Sequence, residues 1–172
     1  MSKRKIEYLE PTKANLEKYN LDSSKVTINS DGSIDYSEDV DLSEKNLKEI
    51  PFKFNIVDGD FYCFYNQLTS LEGSPKKVGG GFWCQRNQLT TLEGAPKEVG
   101  GDFVCHNNKL MILEGSPKKV GGSFSCSYNQ LTSLKGSPQE VGGNFWCREN
   151  QLTTLEGSPQ EVGGVFGAII IH

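Results

Sequence analysis

The sequence predicts a mainly β repeat solenoid, in which a 21-residue unit winds into coils that stack on one another. Three observations predict this fold. A shift of 21 residues superimposes the phenylalanines, the cysteines, and pairs of glycines. The first two columns are Phe61, Phe82, Phe103, Phe124, Phe145 and Phe166, and Cys63, Cys84, Cys105, Cys126 and Cys147. Such a unit buries its apolar residues only by stacking on its neighbours.

The repeated unit has the consensus x-F-x-C-x-x-N-x-L-T-x-L-E-G-x-P-x-x-V-G-G. A degenerate copy covers residues 40–59, because Val40 and Leu42 align with Phe61 and Cys63. Full copies cover 60–164, a partial copy covers 165–172, and an N-terminal segment, 1–39, precedes the array. The full copies begin at Asp60, Gly81, Asp102, Ser123 and Asn144, and we number them coils one to five.

Each unit is predicted to contain one short strand, a turn and a glycine corner. The F-x-C alternation places Phe and Cys on one face of a strand and the residue between them on the other. The Glu-Gly and the Pro after L-T-x-L indicate a turn, and the Gly-Gly pair is expected to adopt positive φ before the next strand. Successive strands are expected to pair in parallel and in register, about 4.8 Å apart.

The strand pattern L-x-L-x-x-N-x-L of leucine-rich repeats is filled here as Phe82-x-Cys84-x-x-Asn87-x-Leu89. Residues 40–172 therefore resemble the short-period bacterial type of leucine-rich repeat, and look closer still to small repeat proteins encoded by bacteria and their phages. The resemblance implies parallel strands on a concave face and a non-helical convex side. The chain departs from the family pattern in having Phe and Cys where the family has aliphatic residues.

The two ends of the array are expected to differ. A proline followed by helix formers predicts a helix around residues 12–20 with Thr12 at its N-cap, and the Asp31-Gly32 turn predicts a β-hairpin. Together they are expected to cap the first coil, since an open stack exposes strand edges. The other end carries Ile169, Ile170 and Ile171, which either fold over the last coil or dock a second copy of the chain.

Two of the constant columns are interpreted as structural. The five cysteines are predicted to be buried, reduced thiols, because in-register disulfides have unfavourable torsions and a row of thiols does not form a tetrahedral metal site. No metal or other cofactor is expected. The amides of the aligned asparagines are predicted to bind backbone groups of adjacent coils. These asparagines are Asn66, Asn87, Asn108, Asn129 and Asn150.

The positions that differ between copies lie beside the constant cysteine: the residue before it and the two residues after it. They carry Trp, Tyr, Phe, Arg and His, residue types that dominate interface hot spots. The candidate partner-binding residues are Tyr62, Phe64, Tyr65, Trp83, Gln85, Arg86, Val104, His106, Tyr128, Trp146 and Arg148. An exposed aromatic patch indicates a binding surface. The alternative is that these large side chains only stack on one another along the sheet.

Composition and motifs exclude several classes of function. Lys and Arg number 18 against 22 Asp and Glu, and no basic stripe is present, so nucleic acid is not an expected partner. No apolar run has the roughly 20 residues of a membrane helix, and no signal peptide is recognisable. A cytoplasmic location is therefore expected. Catalytic motifs are absent, and Cys105 and His106 fall on opposite strand faces, so no enzyme activity is expected.

These observations predict a non-catalytic protein–protein interaction module that binds a partner protein through its concave aromatic face. The phage resemblance implies an inhibitor of a host or defence protein, acting in the host cytoplasm. One alternative is a self-assembling structural protein, such as a homodimer, joined through its apolar C-terminal edge. Another is a protein that sequesters a small ligand between Trp83, Arg86 and His106, which a shallow face without a deep pocket disfavours.

Overall fold

A computed structural model describes residues 6–169, which form a mainly β solenoid with parallel strands and very little helix, as predicted. Two sheets run along the stack. The eight-stranded sheet has the order β1 Val26–Ile28, β2 Ile34–Tyr36, β4 Phe54–Val57, β6 Lys77–Val78, β8 Glu98–Val99, β10 Lys119–Val120, β12 Glu140–Val141 and β14 Glu161–Val162. The seven-stranded sheet contains β3 Val40–Asp41, β5 Phe61–Tyr62, β7 Phe82–Trp83, β9 Phe103–Val104, β11 Phe124–Ser125, β13 Phe145–Trp146 and β15 Phe166–Gly167.

The register of both sheets follows the sequence repeat. Phe82 lies opposite Phe61 on one side and opposite Phe103 on the other. The phenylalanine rings stack along the interior, with centroids of neighbouring rings 5.2–5.4 Å apart. A one-residue slip would turn each strand over and expose these rings. The buried aromatic column therefore holds the coils in register.

The second strand of each coil is a feature that the sequence analysis did not predict. Residues 77–78 and their equivalents pair in parallel just before the Gly-Gly corner, where only a turn was expected. Val78 points into the core, while Lys77 points outward and forms an ion pair with Glu98 at 3.1 Å. A strand of two residues is too short for an alternation of apolar and polar side chains to be recognised in the sequence.

The Gly-Gly pairs do not adopt the positive φ predicted for them. Within the array, the glycines with positive φ are those of the Glu-Gly turn, such as Gly94 with φ 90°. Glycine is required at the corner because the backbones of successive coils touch there. A Cβ on Gly100 would collide with the carbonyl oxygen of Gly79, and the N–H of Gly100 donates to the carbonyl of Val78 at 3.0 Å.

The N-terminal segment packs on the first coils. Helix α1, Lys13–Glu17, begins after Thr12, whose hydroxyl accepts a hydrogen bond from the N–H of Asn15, and a 3₁₀ turn spans Ser23–Lys25. Strands β1 and β2 form the predicted antiparallel hairpin, and β2 pairs in parallel with β4. Leu16 and Tyr36 belong to the same buried cluster as the array residues. None of the helices within residues 6–169 has the length and apolar composition of a membrane span.

The cysteines lie free in the interior, as predicted. All of them are buried, and none forms a disulfide. Burial raises the pKa of every one of these thiols, to about 11 for Cys147. The thiols are therefore protonated at neutral pH and serve as small apolar packing groups.

The asparagine of each coil joins that coil to the one before it. The side-chain Nδ2 of Asn129 donates to the carbonyls of Cys126 in its own coil, at 3.0 Å, and of Cys105 in the preceding coil, at 3.2 Å. Its Oδ1 accepts from the N–H of Leu110 at 3.0 Å. Equivalent bonds are formed by Asn87, Asn108 and Asn150. The predicted structural role of this column is confirmed.

We predict that Asn129→Ala destabilises the protein by about 2–4 kcal/mol, because it leaves buried backbone groups of two coils without partners. Urea denaturation followed by circular dichroism measures the change. The control is Gln130→Ala at the neighbouring exposed position, for which we expect less than about 0.5 kcal/mol. Equal stability of the two variants would contradict the role assigned to the asparagine.

Candidate protein-binding face

The variable positions form three columns beside the constant core. Phe and Cys of each complete coil are fully buried, so the residue between them points away from the interior, as predicted. We call the three columns together the variable face. The strand column is Tyr62, Trp83, Val104, Ser125 and Trp146; the second column is Phe64, Gln85, His106, Ser127 and Arg148; the third column is Tyr65, Arg86, Asn107, Tyr128 and Glu149.

The three columns differ in exposure. The third column reaches furthest into solvent, with Tyr65 49% and Tyr128 57% exposed. The strand column is mostly half-buried, and Val104 is only 8% exposed, which makes it the least accessible of the predicted binding residues. In the second column Phe64, Gln85 and His106 are half-buried, whereas Arg148 is exposed. The chemistry available to a partner therefore lies mainly in the third column and on the aromatic rings beside it.

The third column has an unusual backbone. Its five residues all have positive φ, between 51° and 55°. This left-handed conformation costs an ordinary side chain about 1–2 kcal/mol, and only Gly, Asn and Asp adopt it readily. Of the five, only Asn107 is a residue type suited to the conformation. The strand pattern ends at the cysteine and so does not predict this conformation, for which Asn107 is the one signal in the sequence.

An aromatic cluster lies at the N-terminal side of the variable face. The ring of Tyr62 is 6.1 Å from the ring of Trp83 in a stacked arrangement and 6.1 Å from Phe64 edge-on. Phe64 contacts Tyr65, and the guanidinium of Arg86 lies 4.9 Å from the centroid of Tyr65. The side chains thus partly stack along the sheet, as the alternative interpretation expected. They also leave Tyr65 and Arg86 exposed.

The hydroxyl of Tyr62 is already hydrogen-bonded within the protein. Tyr62 donates to the Oδ2 of Asp60 at 2.6 Å. This hydrogen bond to a carboxylate, with burial, raises the pKa of Tyr62 to about 12. Trp83 occupies the same column, but its coil has Gly81 in place of the aspartate. The Trp83 Nε1 and the Oε1 of Gln85 are buried without a hydrogen-bond partner among residues 6–169.

Glycines accommodate both tryptophans. A Cβ on Gly81 would lie 2.7 Å from the Nε1 of Trp83, and a Cβ on Gly167 would collide with the six-membered ring of Trp146. The guanidinium of Arg148 lies 4.8 Å from the centroid of Trp146. Each end of the variable face therefore combines an aromatic surface with a stacked arginine.

The centre of the variable face is nearly uncharged at neutral pH. Partial burial, and then the positive charge of Arg86, lower the pKa of His106, and its Nδ1 lies 2.8 Å from the Nδ2 of Asn107. The charges that remain on the face are those of Arg86, Arg148 and Glu149. Within residues 6–169 no group of three His, Cys, Asp or Glu residues could hold a metal ion.

One cleft of the described residues lies away from the variable face. It is lined by residues of the N-terminal segment and of the turn side, including Ile6, Lys48, Thr69 and Glu72. The proposed ligand site between Trp83, Arg86 and His106 does not belong to it.

The last coil exposes apolar side chains that are buried elsewhere in the array. Phe166 is 37% exposed, whereas its equivalent Phe145 is fully buried, and Leu155 is 39% exposed. Of the predicted self-association residues, Ile169 is 51% exposed. Ile170 and Ile171 lie outside the described residues.

Comparisons with protein-family models, with curated proteins and with solved structures find no match for this chain. The resemblance to leucine-rich repeats therefore stays a prediction.

We predict that Tyr128→Asn stabilises the protein by up to about 1 kcal/mol, because Asn tolerates the left-handed conformation that Tyr adopts at a cost. Thermal unfolding measures the change. Tyr128→Ala is the matched control, since it removes the ring but keeps the unfavourable backbone, and we expect no gain from it. Equal melting temperatures for the two variants would show that backbone strain at this position is negligible.

Proposed function

We propose that the chain is a non-catalytic protein-binding module that holds a partner protein on its variable face. The observation that carries the proposal is the third column. Five equivalent backbone sites, all with φ near 50°, hold Tyr, Arg, Asn, Tyr and Glu. Folding alone favours Gly or Asn at each of them. Large exposed side chains retained against this preference support a role outside the fold.

The residue types favour a protein as the partner. Tyr, Trp and Arg provide rigid contact area and are the commonest hot-spot residues of protein interfaces. Arg86 stacks on Tyr65 and Arg148 stacks on Trp146, which holds each guanidinium in place with its N–H groups available to carboxylates. The centre of the variable face is uncharged and each end carries a stacked arginine. This arrangement suits a partner protein with a surface of mixed polarity rather than the phosphate backbone of a nucleic acid.

The proposal also includes the family likeness of the fold and the role of the N-terminal segment. The seven-stranded sheet is the concave side of a leucine-rich-repeat-like solenoid, and the N-terminal helix and hairpin cap its first coil. Burial of Leu16 and pairing of β2 with β4 support the cap. The resemblance to phage-encoded repeat proteins favours an inhibitor that occupies the surface of a host or defence protein in the cytoplasm.

We predict that replacing four third-column residues by Asn abolishes partner capture while leaving the fold at least as stable. Asn removes the large side chains yet suits the backbone of this column. The substitutions are Tyr65→Asn, Arg86→Asn, Tyr128→Asn and Glu149→Asn. Wild-type and variant proteins are used as baits in bacterial lysate, bound proteins are quantified by mass spectrometry, and the recovered partner is then titrated in purified form.

The matched control carries four exposed substitutions before the strands of the eight-stranded sheet: Lys76→Ala, Lys97→Ala, Lys118→Ala and Gln139→Ala. A protein retained by the wild type and by this control, but not by the Asn variant, supports binding through the variable face. Retention of the same partner by the Asn variant would overturn the proposal.

A second candidate function is self-association through the last coil. It is favoured by the exposure of Phe166 and Leu155 and by the outer edges of β14 and β15, which pair with no strand within residues 6–169. Light scattering should then give the mass of a dimer or larger species, reduced by Leu155→Lys with Val165→Lys. Ile28→Lys, at an equally exposed site in the first hairpin, is the control. A monomeric wild type at high concentration would exclude this candidate.

A further inference from the structure

The strand column of the variable face has small side chains between two large ones, which leaves a depression in its middle. Trp83, Val104, Ser125 and Trp146 lie side by side on four consecutive strands. The two outer positions carry the largest side chains in the sequence, and the two inner positions carry small ones. We call this depression, with Val104 and Ser125 as its floor and the two tryptophans as its walls, the notch.

The width of the notch suits one secondary-structure element. Three strand steps of about 4.8 Å separate the backbones of Trp83 and Trp146 by roughly 14 Å. An α-helix with its side chains is about 10–12 Å across. A single extended strand occupies only about 5 Å in the plane of a sheet and would leave most of the notch empty.

The floor is only partly open, because Val104 is 8% exposed whereas Ser125 is half-buried. Trp83 stacks on Tyr62 of the preceding coil and lies over Gly81 of its own coil. Trp146 lies over Gly167 of the following coil. The contacts with Tyr62 and Gly167 are made with coils outside the notch, and Ser125 remains partly exposed between the two tryptophans.

The charge at the walls indicates the chemistry of the occupant. Arg86 belongs to the coil of Trp83, and Arg148 belongs to the coil of Trp146, so one guanidinium stands at each side of the notch. Glu149 beside Arg148 is the acidic residue of the variable face, and His106 between the walls is uncharged at neutral pH. The two arginines complement carboxylates on a bound protein.

We infer that the partner binds through one acidic α-helix that lies in the notch between Trp83 and Trp146, with carboxylates directed to Arg86 and Arg148. This inference rests on the proposed function and specifies its partner. The helix packs an apolar stripe on the half-buried indole rings and over Ser125, while its acidic residues pair with the arginines at both walls.

Filling the notch tests this geometry. Ser125→Tyr adds a ring to the floor at a column position where Tyr62 is already accommodated. We expect captured partner to fall by about tenfold or more, and Ser125→Ala, which leaves the notch open, to stay within about twofold of the wild type. Thermal unfolding of both variants checks that the coils remain intact.

The chemistry of the occupant is tested with a photocrosslinker. The probe is p-benzoyl-phenylalanine introduced at His106, at the edge of the floor, with the same probe at Lys118 as control. Crosslinked peptides from lysate are identified by mass spectrometry. A helical partner segment with several Asp or Glu residues, whose capture falls about fivefold or more with Arg86→Gln and Arg148→Gln, supports the inference. A crosslink to a strand, to a basic segment, to nucleic acid or to a second copy of this chain would overturn it.

The outcomes separate the inference from the proposed function. If the four-Asn variant loses the partner while Ser125→Tyr keeps it, the variable face binds protein but the notch does not hold a helix. If both variants keep the partner, the proposed function itself fails.

Discussion

The asparagine amide fixes how each coil meets the one before it. The Nδ2 of Asn87 donates to the carbonyl of Cys84 three residues earlier and to the carbonyl of Cys63 in the preceding coil, while its Oδ1 accepts from the N–H of Leu68. Adding or removing one residue between two asparagines would disturb the two bonds to the preceding coil. The exact repeat of 21 residues, the stacked phenylalanines and the touching glycine corners all depend on this spacing.

The same amide shapes the variable face. To reach the carbonyl three residues back, the chain must turn sharply between cysteine and asparagine, and the residue just before the asparagine takes positive φ, as Arg86 does. The turn that the core requires therefore pushes one side chain per coil into solvent at a backbone cost. A structural constraint thus creates a regular row of exposed sites, and we propose that binding of a partner sets the residues on that row.

Much of the fold could be predicted because it repeats, and most of what was missed depends on distances that sequence does not contain. The 21-residue period and the F-x-C alternation predict the parallel strands, the buried cysteines and the outward variable columns. The strand at Lys77–Val78 was missed because two residues show no period, and the Gly-Gly corner was misinterpreted because backbone contact between coils has no local signal. Val104 was predicted to face a partner, but its burial depends on its neighbours' side chains.

The most direct test of the separation between core and face is an exchange of variable residues between coils two and four. The exchanged residues are Gly81, Trp83, Gln85 and Arg86 on one side, and Ser123, Ser125, Ser127 and Tyr128 on the other. We measure the free energy of unfolding and the binding of the captured partner on the same protein. We expect stability within about 1 kcal/mol of the wild type and binding weakened at least about tenfold. Unfolding of the exchanged protein, or unchanged binding by it, would contradict the account.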